Sequence, residues 1–273
     1  LSVLDGREVA PERSRPGDLL DDAGDPIPWR QATSQANAIG IPGTVALLWQ
    51  AHQNHGRLPW GQTLQPAVHL ASAGFLPSPR LLRSIRLAQR FGVAHSPEFQ
   101  ALYLPGGQPP AADQPFHNPS LARTLRLLAR EGGPAFYQGP LAQQILDGVN
   151  ALRASEPNFR GWSSVDLSSY AVVRRPPLCS QQLQHRICTV PPPSSGGLAL
   201  LQTLALLNQT TNLGSSSTGE PQIWRQLART QAWADADRLY WVHDPIDGAV
   251  PTAALLDQTY IASRARAMQG TNG

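Results

Sequence analysis

The sequence contains no lysine: all 22 basic residues are arginine. The arginines are scattered and not massed in one block, which excludes a polybasic tail. A net charge of +3 is too small to argue for nucleic acid. Long apolar runs are also missing. The longest, Leu198 to Leu207, falls well short of the roughly 20 residues that cross a bilayer, so no membrane span is expected. There is no G-x-S-x-G nucleophile elbow. Ser216, within Gly214-Ser215-Ser216-Ser217-Thr218-Gly219, lacks the last glycine, and the stretch reads as a flexible loop. Metal ligands are equally scarce. His52 and His55 share a helix face, but no third histidine or carboxylate stands at ligand spacing; neither a metal nor a cofactor is expected. Asp235 and Asp237 point in different directions on a helix and form no carboxylate dyad, whereas Asp235 and Arg238 stand at ion-pair spacing. The opening LSVLDGRE lacks the basic start and apolar core of a signal peptide; it reads as a strand entered midway, as if cut from something longer. No internal repeat is present.

What is present describes a soluble globular chain of 273 residues with 41% hydrophobic content, enough for one or two domains with a substantial core. Its 26 prolines alternate with periodic apolar segments and so mark fixed turns between short helices. A strand at Leu1–Leu4 and a loop to Ala38 lead in. Val45, Leu48, Trp49 and His52 predict one helical face from Thr44 to Gly56. Pro66 predicts the N1 position of a second helix ending at Ala73, with Gly74 at C′ and Phe75 closing on Leu70. Ser78 caps a third, whose Leu81, Leu82, Ile85 and Ala88 face inward and whose Arg80, Arg83, Arg86 and Arg90 face solvent. His95–Phe116 reads as a Pro/Gly-rich excursion. Asn118-Pro119 opens a helix over Leu121, Leu125 and Leu128; Leu141, Ile145 and Val149 mark the next. Ser164 caps a short turn, and Tyr170–Val173 begins a strand. Pro221–Tyr240 and Thr252–Met268 are expected helices.

Cys188 to Asn208 organises the remainder. Pro191, Pro192 and Pro193 hold the chain extended, Ser194 and Ser195 offer caps, and Gly196 and Gly197 permit close backbone approach or positive φ. The apolar run that follows predicts a helix buried all round. The stretch is either a strand-to-helix corner in a core or an anion site at a glycine-rich helix start. No lysine or aspartate at P-loop spacing supports the second.

The PPPSSGG string resembles the γ-glutamyltranspeptidase family, in which this turn opens a long apolar helix. Three more stretches are similar in the same order: Asp5-Gly6-Arg7-Glu8-Val9-Ala10-Pro11; Pro42-Gly43-Thr44-Val45-Ala46 running on to Leu58-Pro59-Trp60; and Gln231-Ala232-Trp233-Ala234-Asp235-Ala236-Asp237-Arg238. His243-Asp244-Pro245 departs from that family's usual Gly-Asp-Pro. The resemblance implies an α+β, helix-rich fold, an incomplete αββα sandwich of the N-terminal-nucleophile (Ntn) hydrolases, with residues 1–273 as one large-subunit region: lead-in 1–40, helical region 41–170, and hairpin, buried helix and C-terminal helices 171–273. It implies a precursor that cleaves itself before a threonine, whose hydroxyl then attacks γ-glutamyl amides such as glutathione and passes the γ-glutamyl group to water or an amino acid or peptide. That threonine starts a small subunit, the expected partner. Thr271-Asn272-Gly273 is not the expected Thr-Thr-His, so this chain holds no catalytic residue and is expected to be inactive alone. On its own Arg7 reads as half of an Arg7–Glu8 pair; the resemblance implies that it grips the substrate α-carboxylate. A β-lactam acylase relative and a non-catalytic binding module are the alternatives. Relatives of this kind are exported, which implies a periplasmic or extracellular place.

The cysteines are read from register. A two-residue turn at Leu183-Gln184 sets Cys179 directly opposite Cys188 in a non-hydrogen-bonded pair, with Cα atoms ~4.5 Å apart. Such a pair can form a disulfide in the oxidising compartment that the resemblance implies. That turn lacks the asparagine or glycine of a primed hairpin, and a one-residue slip leaves two separate thiols on opposite faces.

Overall fold

The structure is a computed structural model that describes residues 1–90, 96–156, 158–182, 184–210 and 221–270. Leu183, the Gly214–Gly219 loop and Thr271-Asn272-Gly273 lie outside them. The chain divides into two compact units, Asp5–Val173 and Leu1–Leu4 with Arg174 onward. The elements run β1 (Val3–Asp5), α1 (Trp29–Ala32), α2 (Thr44–His55), α3 (Trp60–Ala73), α4 (Pro79–Arg90), α5 (Pro97–Tyr103), α6 (Pro119–Glu131), α7 (Pro134–Tyr137), α8 (Gly139–Ala151), α9 (Ser164–Ser168), β2 (Val173–Arg175), β3 (Leu178–Gln182), β4 (His185–Thr189), α10 (Gly196–Thr210), α11 (Pro221–Trp241), α12 (Thr252–Leu255) and α13 (Gln258–Gly270). Among the described residues the strands form two two-stranded sheets, β1–β2 and β3–β4. No described helix is long and apolar enough to cross a membrane.

In the Asp5–Val173 unit, α3 packs along α6. The Trp60 indole N–H donates to the Leu128 carbonyl at 2.7 Å, and a side chain on Gly61 would meet the Ala129 carbonyl oxygen at 2.9 Å. This anchorage starts the helix at Trp60, so Pro66 lies inside it, not at its N1 position. The missing N–H is tolerated because packing offsets a cost of about 3 kcal/mol. Gly74 does end the helix at φ +86°. Phe75, however, pairs with Phe116 through backbone bonds of 3.2 and 2.9 Å and an edge-on ring contact, while Leu70 stays exposed. Ser78 caps α4 as expected, its Oγ accepting from Leu81 N–H at 3.2 Å, and Leu82 and Ile85 are buried. Within 96–116 the expected loop contains α5, capped by Ser96. Leu48 and Leu121 are exposed, because Tyr137, Ala142, Leu146 and Leu167 fill the core that Val45 and Ala46 border.

The cap of α9 is Ser163, one residue before the expected Ser164. Ser163 and Asp166 form a reciprocal capping box. Asp166 does more: its Oδ2 accepts from Ser163 N–H at 2.6 Å and from the Ser163 hydroxyl at 2.8 Å, while Oδ1 accepts from Glu12 N–H at 2.7 Å. Burial on its own raises this carboxyl's pKa. The Glu12 and Ser163 hydrogen bonds and the Arg13 charge outweigh that and hold it below the usual carboxylate range.

In the second unit, β3 and β4 pair Cys179 with Cys188, and the sulfurs are bonded, with Cα atoms 4.1 Å apart. Gln184 takes the positive φ, +66°, that the turn needs. The Pro192–Pro193 bond is cis where an extended run was expected. A side chain on Gly197 would lie 2.1 Å from the Val190 carbonyl oxygen, so only glycine lets α10 start this close to the strand. Helix α10 buries Leu198, Leu201 and Leu206 against its neighbours but leaves Leu200 exposed. It also buries Gln202, whose amide donates to Asp237 at 3.0 Å and to the Leu255 carbonyl at 3.1 Å. Arg264 completes the network, 2.9 Å from Asp237 and stacked over Trp233. The expected Thr252–Met268 helix is two, because Asp257 recaps the chain at Thr259 and Tyr260.

Asp166→Asn is expected to lower unfolding free energy by roughly 1.5–3 kcal/mol, the value of hydrogen bonds to a charged group. Because the folded pKa is depressed, the stabilisation is present above the ordinary carboxylate pKa and is lost as pH falls through the folded one. Urea unfolding from pH 7 down to pH 3 should therefore show a shallower acid loss in the variant; parallel curves would contradict this.

Candidate functional site

Arg7 follows β1 in a turn whose main chain is held at both ends. Its N–H donates to Asp5 Oδ1 at 3.0 Å, and its carbonyl accepts from the Tyr170 hydroxyl at 2.8 Å. Gly6 lets α2 close on the turn, since a side chain there would meet Leu47 Cβ at 2.5 Å. Gly43, just before α2, is tighter still: an added Cβ would stand 1.8 Å from the Tyr170 hydroxyl oxygen and 2.3 Å from the Gly6 carbonyl oxygen. The Tyr137 hydroxyl donates to the Pro42 carbonyl at 2.8 Å and accepts from Ala46 N–H at 3.1 Å. The two tyrosine rings stack, with centroids 5.6 Å apart. Arg7 and the Pro42-Gly43-Thr44 turn, separate motifs in the sequence, are thus fixed to one aromatic pair.

The Arg7 side chain itself is 54% exposed and its nearest acid, Glu8, is 3.9 Å away, beyond hydrogen-bond range. The backbone is rigid and the guanidinium only lightly engaged. The expected Arg7–Glu8 pair is therefore a loose one. Tyr170 has its pKa pushed up to about 12, first by burial and then by the negative charges of Tyr137, Asp5 and Glu8. Burial also raises Tyr137. Both phenols stay protonated and remain donors at neutral pH. Sequence reasoning did not find either tyrosine, since no spacing rule ties them to a turn more than 90 residues away.

The remaining candidates are structural in character. The His52 ring packs on Trp60, with centroids 5.2 Å apart, and contacts the Leu58 carbonyl at 2.7 Å; His55 is exposed. Asp235 and Arg238 form an ion pair at 2.5 Å. Among the described residues no group of three metal-ligating side chains gathers.

The gamma-glutamyltranspeptidase family model matches residues 1–272. The chain belongs to the γ-glutamyltranspeptidase family. It is similar to the glutathione hydrolase proenzyme of Bacillus subtilis (strain 168), 30% identical over 263 residues that cover 96% of this chain and 43% of that protein. It is also similar to the acylase ACY 1 proenzyme of Pseudomonas sp. (strain V22), 31% identical over 96% of this chain and 46% of that protein. The structure of the γ-glutamyltranspeptidase from Pseudomonas nitroreducens complexed with L-DON matches with a TM-score of 0.83 at 30% identity, covering 97% of this chain and 76% of that one. The helix-rich α+β architecture is shared with this γ-glutamyltranspeptidase. This family member spans less than half the length of the curated relatives it matches.

Tyr170→Phe should remove the phenol absorbance step near pH 12 and lower stability by about 1 kcal/mol at pH 8, one neutral hydrogen bond. With the folded pKa raised, that contribution is present below pH 10 and disappears as pH rises through about 12. Ultraviolet titration of wild type and variant checks it; identical curves would show that Tyr170 is not the late-titrating phenol.

Proposed function

We propose that this chain is the substrate-gripping, large-subunit portion of a γ-glutamyl transferase/hydrolase, in which Arg7 binds the α-carboxylate of a γ-glutamyl donor such as glutathione. The supporting observation is the contrast at Arg7: a main chain fixed at N–H and carbonyl, carrying a guanidinium that is exposed and, among the described residues, held by no hydrogen bond. A planar fork poised this way suits bidentate grip of a carboxylate. Pre-fixing its backbone lowers the ordering cost of binding. The nucleophilic threonine and the groups that stabilise the oxyanion come, in this reading, from a small subunit cut from the same precursor. Hydrolysis passes the γ-glutamyl group to water and transfer passes it to an amino acid or peptide. The similarity to an acylase proenzyme favours a second reading, an acylase whose acyl group carries the carboxylate.

In the full precursor, Arg7→Ala should cut kcat/KM for a γ-glutamyl anilide by on the order of tenfold to a hundredfold, the roughly 1.5–3 kcal/mol of one charge-assisted contact. Arg7→Lys keeps charge without the fork and should raise KM more than it lowers kcat. An unchanged kcat/KM in Arg7→Ala would rule the role out.

We also infer export to the periplasm or cell exterior, where the Cys179–Cys188 bond joins the facing strands. Protein made in an oxidising compartment, denatured without reductant, should then show no reactive thiol. Two thiols would end that reading.

A further inference from the structure

Residues far apart in sequence, from Glu12 to Leu20 on one side and Arg153 with Asn158, Phe159 and Arg160 on the other, wall an open pocket of about 760 Å³ within the Asp5–Val173 unit. Four guanidinium residues line it, Arg13, Arg15, Arg153 and Arg160, against two carboxylates, Glu12 and Asp18. Asp18 is already committed. Its Oδ2 accepts from Arg15 N–H at 2.8 Å, and its Oδ1 stands 3.6 Å from Arg160 Nε, an ion pair too long for a hydrogen bond. Arg160 Nε is therefore buried without an acceptor among the described residues. Among the described residues Arg15 and Arg153 make no ion pair there either. Arg13 acts on Asp166 through its charge.

A concave site with surplus positive charge and an unsatisfied buried N–H is completed by an oxyanion, which accepts from the N–H and neutralises the charge together. Guanidinium groups match the paired oxygens of phosphate and carboxylate. Because the arginines come from separate segments around a space larger than one such group, the ligand should carry at least two. We propose that this pocket binds a compact polyanion bearing two or more phosphate or carboxylate groups. Arg160 supplies the inner contact and Arg13, Arg15 and Arg153 supply the outer charges. Arg7 does not line the pocket, so the proposal stands or falls apart from the function proposed above.

Calorimetric titration of the protein with inorganic pyrophosphate and, separately, with tricarballylate at fixed ionic strength tests it. One saturable site is expected, weakened about tenfold in Arg160→Gln and in Arg153→Gln and unchanged in Arg86→Gln, on the exposed face of α4. Arg153 is exposed, so its substitution probes the pocket even where Arg160→Gln disturbs folding. Saturation by pyrophosphate alone assigns phosphate chemistry, by tricarballylate alone carboxylate chemistry, and by both a site that reads charge and spacing; each upholds the proposal. Heats that fail to saturate with either probe overturn it, as does equal weakening by Arg86→Gln, the mark of diffuse attraction.

Discussion

Two phenol hydroxyls carry the arrangement on which the Asp5–Val173 unit's candidate site depends. Tyr170 holds the carbonyl of Arg7 and Tyr137 holds that of Pro42, and the rings stack on one another. The main chain of two loops is thereby fastened to a buried aromatic surface, where hydrogen bonds and ring contact reinforce each other. Glycines at 6 and 43 are the steric condition for that closeness. The Arg7 side chain then needs no rigid partner of its own. Its position is set from behind, through the backbone, and its guanidinium is left available.

The most legible parts of the sequence were those whose signal is local. Ser78 and Asn118 cap their helices, Gly74 ends its helix at positive φ, and the facing cysteine pair is one of the two registers that the hairpin left open. The family itself was legible from four ordered motifs, because motifs of this kind record backbone geometry that few residues satisfy. Within the site, Arg7 was visible as a residue type beside a turn, but its supporting tyrosines were not.

Where reading failed, a distant contact had overruled a local preference. Pro66 reads as a helix start, yet docking of Trp60 on Leu128 moves the start earlier. Phe75 prefers Phe116 to Leu70. Ser163 and not Ser164 caps α9, and here a usable signal existed: Ser163-Ser164-Val165-Asp166 carries the capping-box spacing. The apolar run of α10 concealed Gln202, whose buried amide joins Asp237, itself paired with Arg264. A polar residue inside an apolar helix was the clue to a network, and Asp237, set aside as no member of a dyad, proves to be its centre.

The separation between Arg7 and Tyr170, 163 residues, bears on how the chain is made. Asp166 spans nearly as far to reach Glu12. The segment that bears Arg7 leaves the ribosome well before the residues that hold it. At about 5–20 residues per second, that interval is on the order of ten seconds or more. During it helices such as α3 and α6, whose partners lie closer, can assemble first. The Arg7 turn thus takes shape only once Tyr170 has been translated, after helix pairs whose partners lie closer in sequence.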